Sequence, residues 1–510
     1  MLAFIVRRLV VSAGVLLAGT FLAYVLVALS GDPLARLRED NSPGAEDRMA
    51  DLSDRLNLDT PVPLRYLQWL GAASKCLVPF AAQCDLGQSV QGQDVTFLLS
   101  NAVTATLQLI TVATFSAMLL GVIIGIVTAL RQYSRLDYAT TLASFFFVSL
   151  PLFWFAVLLK QYVAIDLNDW LADPTVSLPA AAVVGVISGL IWASAIGGDR
   201  RRVWTSFGIA FAATAGALLV LSATGWFASP GLGPVVVIVV GAASALGLTA
   251  LLAGFRYRHV LYAASATAAV GIVLYFALDP VLRDPGYLTL FGLLLLAIAI
   301  AGGIGYLLGG LQRKQAIQTS IGVALIMSVT VLIDKVLSAW DNYYEAVGGR
   351  VVATFGSRTP NYDGGTWGNL LDTATHLMLP TIALMLVSIA TYSRYTRASM
   401  LEVMNQDYVR TARSKGLTER TVIVRHAFRN GLIPITTLMA FDVAGLMGGA
   451  VITETVFAWQ GMGFMFVQAL RNVDPNPAMA FFLVTGITAV VFNMLADIAY
   501  AYLDPRIRLS

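Results

Sequence analysis

From Pro174 to Asp341 the sequence is almost unbroken apolar residues, cut only by GGDRRR at 197–202, WFASPGLGP at 226–234, FRYRH at 255–259, DPVLRDPG at 279–286 and QRKQ at 312–315. Six stretches remain, near 176–196, 203–225, 235–254, 260–278, 287–311 and 316–333. Each approaches or exceeds the roughly twenty residues with which a helix crosses the ~30 Å hydrocarbon layer. In lipid every backbone N–H and C=O must be bonded within the spanning segment, so runs of this length are read as α-helices. Composition points the same way. Charged residues make up 12% of the 510, against about 25% in a soluble globular protein.

Further spans are expected on both sides of this block. Leu9–Leu29 follows Arg7 and Arg8 without a small-residue cleavage site, so it reads as a retained span rather than a signal peptide. Spans follow near Ala102–Leu130 and Ala139–Ile165, the second carrying Pro151 in SLPLFW, where a kink is expected. Three more are expected near 376–396, 432–453 and 478–502, giving an all-α integral membrane protein of twelve helices. Charge sets the orientation, because Lys and Arg near span ends favour the cytoplasm. With the N-terminus inside, Arg200–Arg202, Arg256, Arg258, Arg313 and Lys314 all fall inside. An even number of spans in the apolar block keeps the basic stretch at 402–434 inside as well, and both termini are then cytoplasmic. The expected layout is a first helix in 1–30, an external segment in 31–100, two helices in 101–173 and a six-helix block in 174–340. A second external segment in 341–375 precedes the last helices in 376–510.

The residue types for catalysis or metal binding do not cluster. His259, His376 and His426 are far apart in sequence, and no GxxxxGK[ST] phosphate loop is present. The net charge of +3 is what positive-inside loops produce and does not argue for nucleic acid. One polar island stands out, Glu402–Pro434, in which Arg410, Arg413, Lys415, Arg420, Arg425 and Arg429 face only Glu402, Asp407 and Glu419 as counter-charges. Its first half, through Val403, Asp407 and Arg410, has helical spacing. Gly416 interrupts it, Thr418 is placed to cap a second helix, and Val422–Phe428 resumes a helical pattern. Read from its residues alone, this is either a docking element of two short helices joined at a glycine or an ordinary basic loop.

A longer pattern resolves that choice. Ser399–Pro434 reads SMLEVMNQDYVRTARSKGLTERTVIVRHAFRNGLIP. It resembles the EAA-type loop of binding-protein-dependent ABC importer permeases, in the form found in the oligopeptide and dipeptide branch. Separated motifs in the same order extend the resemblance: Gly31-Asp32-Pro33, Asp85-Leu86-Gly87-Gln88-Ser89, Arg131 and Asp137, SLPLFW at 149–154, and His376–Pro380. Gly448–Val451 with Thr453–Phe457, then Gly461-Met462-Gly463, complete the series. Members of that family have six spans, so the six at 174–340 stand as an insertion.

The resemblance implies a permease subunit that does not itself catalyse a reaction. It carries peptides across a bacterial inner membrane and binds no cofactor of its own, ATP and Mg being held by partners. The implied partners are a second permease subunit, two ABC ATPase subunits, a periplasmic or lipid-anchored substrate-binding protein and membrane lipid. The same likeness covers importers of nickel, oligosaccharides or opines. ATPase coupling is expected at Asp407, Tyr408, Arg410, Thr411, Ala412, Arg413, Lys415, Gly416, Leu417 and Glu419, with the cations pairing acidic groups and Tyr408 and Leu417 filling a groove. Asp442 is the sharpest intramembrane charge and is expected to face a cavity, the translocation path or a neighbouring helix. Gly445, Gly448 and Gly449 on the same span suit close helix packing. Cys76 and Cys84 fall on the expected external side, where a disulfide is permitted, and a bridge is expected. A self-sufficient secondary transporter would instead show matched halves and several mid-membrane charges, of which Asp442 is the clear case. A third reading makes the inserted spans an accessory module.

Overall fold

The computed structural model describes residues 2–77, 84–432, 434–435, 438–439, 442 and 450–503. Helices account for most of them. In chain order the principal ones are α1 (Leu2–Leu29), α2 (Ala45–Arg55), α3 (Val62–Ser74), α4 (Val95–Leu130), α5 (Arg135–Ser149) and α6 (Leu152–Leu158). The apolar block at 174–340 supplies α7 (Leu178–Ile196), α8 (Arg200–Ala223), α9 (Gly233–Leu252), α10 (Arg258–Ala277), α11 (Tyr287–Leu308) and α12 (Arg313–Leu337). Then come α13 (Trp340–Ala346), α14 (Gly365–Met404), α15 (Asp407–Ser414), α16 (Glu419–Thr421), α17 (Val451–Val456), α18 (Met462–Arg471) and α19 (Pro475–Leu503).

Among the described residues, 10 helices are long and apolar enough to cross a membrane, or 11 when one bent pair is counted as a span. The twelfth expected span, near 432–453, lies for the most part outside the described residues, as do Gly445, Gly448 and Gly449. The bent pair falls at SLPLFW. The expected bend at Pro151 is present and amounts to a break: α5 ends at Ser149 and the helix restarts at Leu152, with a bend of 102°. Pro151 lacks an N–H and disfavours helical geometry at Leu150, and Leu150 is extended at φ −82°, ψ 132°. One difference is length. α14 begins at Gly365, ahead of the expected span, and runs for 40 residues with Pro380 inside it.

The chain divides into two compact units, one of 1–163, 354–357 and 377–510, the other of 164–353 and 358–376. In the first, Tyr24 of α1, Tyr66 and Trp69 of α3, Leu99 and Ile110 of α4, Met462 of α18 and Met479 of α19 form one buried cluster. The polar segment before α4 is tied to the turn before α19. Asp474 accepts the Val90 N–H at 2.7 Å and the Asn476 amide donates to the Gln88 carbonyl at 2.8 Å. Burial raises the Asp474 carboxyl to about 6. Within this segment Cys76 and Cys84 are joined as a disulfide. α17 and α18 are joined by a carboxylate cap: Glu454, fully buried, accepts from Thr106 Oγ1 at 2.8 Å and from the Gly463 and Phe464 N–H groups at 2.7 and 3.0 Å. That contact gives the Glu and GxG motifs one shared structural cause, because the carboxylate satisfies donors that the first turn of α18 leaves without intrahelical partners.

In the second unit, α7 and α8 form a hairpin in which Gly185 and Gly189 lie against Phe211 and Phe207. Helices α9 to α12 make a bundle around Val237, Ala245, Ala264, Ala268, Val323 and Met327. Outward-facing Val183, Ile187, Ile191, Leu288 and Leu296 are exposed. Helices that are apolar all round with so little burial fit contact with lipid rather than with water.

Candidate functional site

The stretch from Ser399 to Gly431 is built as a short arm on the end of α14. That helix stops at Met404, Gln406 turns extended, and α15 starts at Asp407. The helical spacing of Val403, Asp407 and Arg410 therefore runs across a break at Asn405–Gln406 instead of along one helix. The break lets α15 fold back so that Val409 and Ala412 pack on Val422, with Val403 alongside. All three core residues are buried, Val409 and Val422 completely. α15 is thus amphipathic, and its other face carries the exposed Asp407, Arg410, Thr411 and Arg413.

Gly416 closes the arm. Its φ of +72° lies in the left-handed region, and the space around its Cα is open. The constraint there is the backbone turn rather than packing, since an L side chain costs roughly 1–2 kcal/mol in that conformation. Thr418 then caps α16 through the Thr421 N–H at 3.4 Å. Tyr408 at 42% and Leu417 at 41% exposure present apolar surface beside this turn, and Lys415 is exposed with them.

The cations divide into bound and loosely held ones. Arg413 makes two hydrogen bonds to Glu419, at 2.7 and 3.2 Å, across the Gly416 turn. Those bonds hold the Glu419 carboxyl below its usual range and raise the Arg413 guanidinium. Arg413 therefore pins the turn. Arg410 is 3.7 Å from Asp407, whose side chain is almost wholly exposed.

The arm is fastened to the helices at its base. Ser399 donates to the Gly431 carbonyl at 2.8 Å. Met400 of α14 packs with Ala427 and with Ala129 at the end of α4. The strongest fastening joins residues 260 apart in sequence: Arg397 Nε and Nη2 donate to the two oxygens of Asp137 at 2.7 and 2.8 Å. Asp137 is only 4% exposed and also accepts the Tyr133 N–H at 3.0 Å. Sequence reading places Asp137 among the motifs but does not find Arg397. The signal that was present is a lone acid in the basic loop RQYSRLD, which needs a cation from elsewhere once buried.

Asp442 is half-buried. It does not share a site with the arm residues 407–419. Among the described residues no three His, Cys, Asp or Glu side chains converge in a way that would hold a metal ion.

Residues 121–509 match the family profile described as binding-protein-dependent transport system inner membrane component. The chain is 43% identical over 165 residues to the oligopeptide transport system permease protein OppB of Mycobacterium tuberculosis, covering 32% of this chain and 51% of that protein. It is 41% identical over 144 residues to the dipeptide transport system permease protein DppB of Escherichia coli, 28% of this chain and 42% of that one. The oligopeptide transport system permease protein AppB of Bacillus subtilis is 42% identical over 139 residues, 27% and 44% of the two chains. The chain thus spans about half the length, or less, of these curated relatives.

Proposed function

The chain belongs to the family of binding-protein-dependent transport system inner membrane components, and from that premise we propose that it is the membrane-spanning permease subunit of an ATP-driven importer of peptides. The arm at 407–419 carries the proposal. It is rigid inside, through Val409, Ala412 and Val422 and the Arg413–Glu419 pair, and it offers Tyr408, Leu417, Arg410 and Lys415 outward. In this reading two ATPase subunits grip such arms, one on this chain and one on a second permease subunit. A substrate-binding protein delivers the cargo on the opposite face.

Movement of the arm reaches the membrane through its fastenings. The packing of Met400 on Ala427 and Ala129 connects it to α14 and α4, and the Arg397–Asp137 pair joins α14 to α5. A rigid arm with bonded fastenings transmits displacement, whereas a solvated loop absorbs it. The names of the relatives support a peptide cargo, and Asp442 is the residue we propose to test for contact with its amino terminus.

The test replaces Gly416. Gly416→Trp forces a bulky L side chain into the left-handed turn. The variant should insert in the membrane and assemble, yet lose substrate-stimulated ATPase activity in the purified complex. Retained stimulation would remove the coupling role. The cargo is read separately, by mass spectrometry of the ligand carried on the co-purified binding protein; a nickel ion, an oligosaccharide or an opine in place of a peptide overturns the substrate assignment alone.

A further inference from the structure

Between α10, α11 and α12 the second unit forms an apolar groove of about 500 Å3, partly open along exposed Phe291, Leu296 and Val329. Along α11 its wall runs from Leu290 to Ala301, eleven steps of 1.5 Å or about 16 Å. It begins level with Leu282 and Trp367, at the 278–286 end of the bundle, and reaches Thr267 and Ala324. That depth is about half of the ~30 Å hydrocarbon layer, the reach of one leaflet.

The wall offers little to a polar solute. Thr267 donates to its own Ala263 carbonyl at 2.9 Å, Tyr275 donates to Asp334 at 2.9 Å, and the Trp367 indole donates to the Leu282 carbonyl at 2.7 Å. The chain beside lining residues Leu278 and Leu282 is different, since both charge signs meet there. Lys335 lies 2.6 Å from Asp279, Arg283 lies 3.9 Å from the same carboxylate and is 78% exposed, and Asp284 accepts the Thr366 N–H at 2.9 Å. The bonds from Lys335 to Asp279 and from the Thr366 backbone to Asp284 keep both carboxyls below their usual range.

We propose that this groove holds one acyl chain of a zwitterionic phospholipid, whose headgroup sits at the 278–286 span end with its phosphate toward Arg283 and its ammonium toward Asp279 and Asp284. Three observations select the occupant: an apolar lining, a depth of one leaflet starting at a span end, and both charges on the segment at that end. The inserted unit is then a lipid-holding module, a property independent of whether the arm at 407–419 couples to an ATPase.

The experiment uses the full chain in nanodiscs containing a phosphatidylethanolamine analogue with a photoactivatable group on its acyl chain. Labelled peptides are mapped by mass spectrometry after irradiation. Label should concentrate on 290–301 and 324–332, and should fall with excess unlabelled phosphatidylethanolamine. Ala297→Trp and Ser328→Phe, which fill the groove from two different helices, should each lose most of it. Leu288→Trp, on α11 but off the wall and 84% exposed, should keep it. Gel filtration identifies a filling variant that misfolds, and the other variant and the competition on the unmodified chain then decide. Label spread evenly over α7, α8 and α11, or unchanged by filling and by competition, overturns the proposal. Equal labelling by a phosphatidylglycerol analogue overturns the headgroup assignment.

Discussion

In the unit formed by 1–163, 354–357 and 377–510, segments distant in sequence are tied by polar bonds: Arg397 to Asp137, Thr106 to Glu454, Val90 to Asp474. In the unit formed by 164–353 and 358–376, apolar helices pack mainly on their sequence neighbours through small side chains, α7 on α8 and α11 on α12. Polar bonds between distant segments occur here too, as between Asn168 and Val352, but within the α9–α12 bundle those such as Gly233–Asp334, Lys335–Asp279 and Tyr275–Asp334 gather at one end. The contrast separates two ways of being stable in a membrane. Directional bonds between remote segments fix one geometry and can carry force. Small-residue packing between neighbours makes a self-contained bundle that needs only lipid around it.

The largest effect should come from breaking the Arg397 pair. Arg397→Ala strands the buried Asp137 carboxylate, which costs about 3 kcal/mol, the low end for a broken buried pair because Arg397 is 30% exposed. Thermal unfolding of the purified protein should show the loss, and pairing Arg397→Met with Asp137→Asn should recover most of it. If the two changes simply add, the pair is not a fastening.

An intermediate effect should separate the two units. A Cβ on Gly305 of α11 would sit 2.6 Å from the Ile317 backbone of α12, so Gly305→Val should lower stability by about 1–3 kcal/mol through overpacking. Stimulated ATPase activity of the assembled complex should be unchanged at a temperature where the variant is folded. A loss there would make the inserted bundle part of the force path and erase the contrast.

The smallest effect concerns pH. Burial lifts the Asp474 carboxyl from 3.8 to about 6, so between those values the folded chain holds a proton that the unfolded chain has released. Stability from this group therefore falls as pH rises across that window and is level above it. Asp474→Asn should flatten this part of the pH profile of thermal unfolding. An unaltered slope would mean that other groups set it.

The spans were legible because lipid demands long apolar runs, and α7 to α12 coincide closely with the stretches read from the sequence. The arm was legible through its motif, with the Gly416 turn and the Thr418 cap marked by local chemistry. The features that escaped reading have a common physical origin. Arg397 and Asp137 are partners only after the chain folds, and no local periodicity links residues 260 apart. Pro151 announces an interruption, but its 102° bend depends on what packs around it. The break at Asn405–Gln406 is set by burial of Val409 and Ala412, which outweighs the helical spacing around it.

In the reading proposed above, the 407–419 arm is where a nucleotide-driven partner takes hold. Placing a photo-crosslinking amino acid at Tyr408 or Leu417, with one at Leu288 of α11 as control, tests it in the complex purified with its ATPase subunits. ATPase capture is expected from both arm positions and none from Leu288. Co-purification of the ATPase without capture at either arm position would contradict the coupling role.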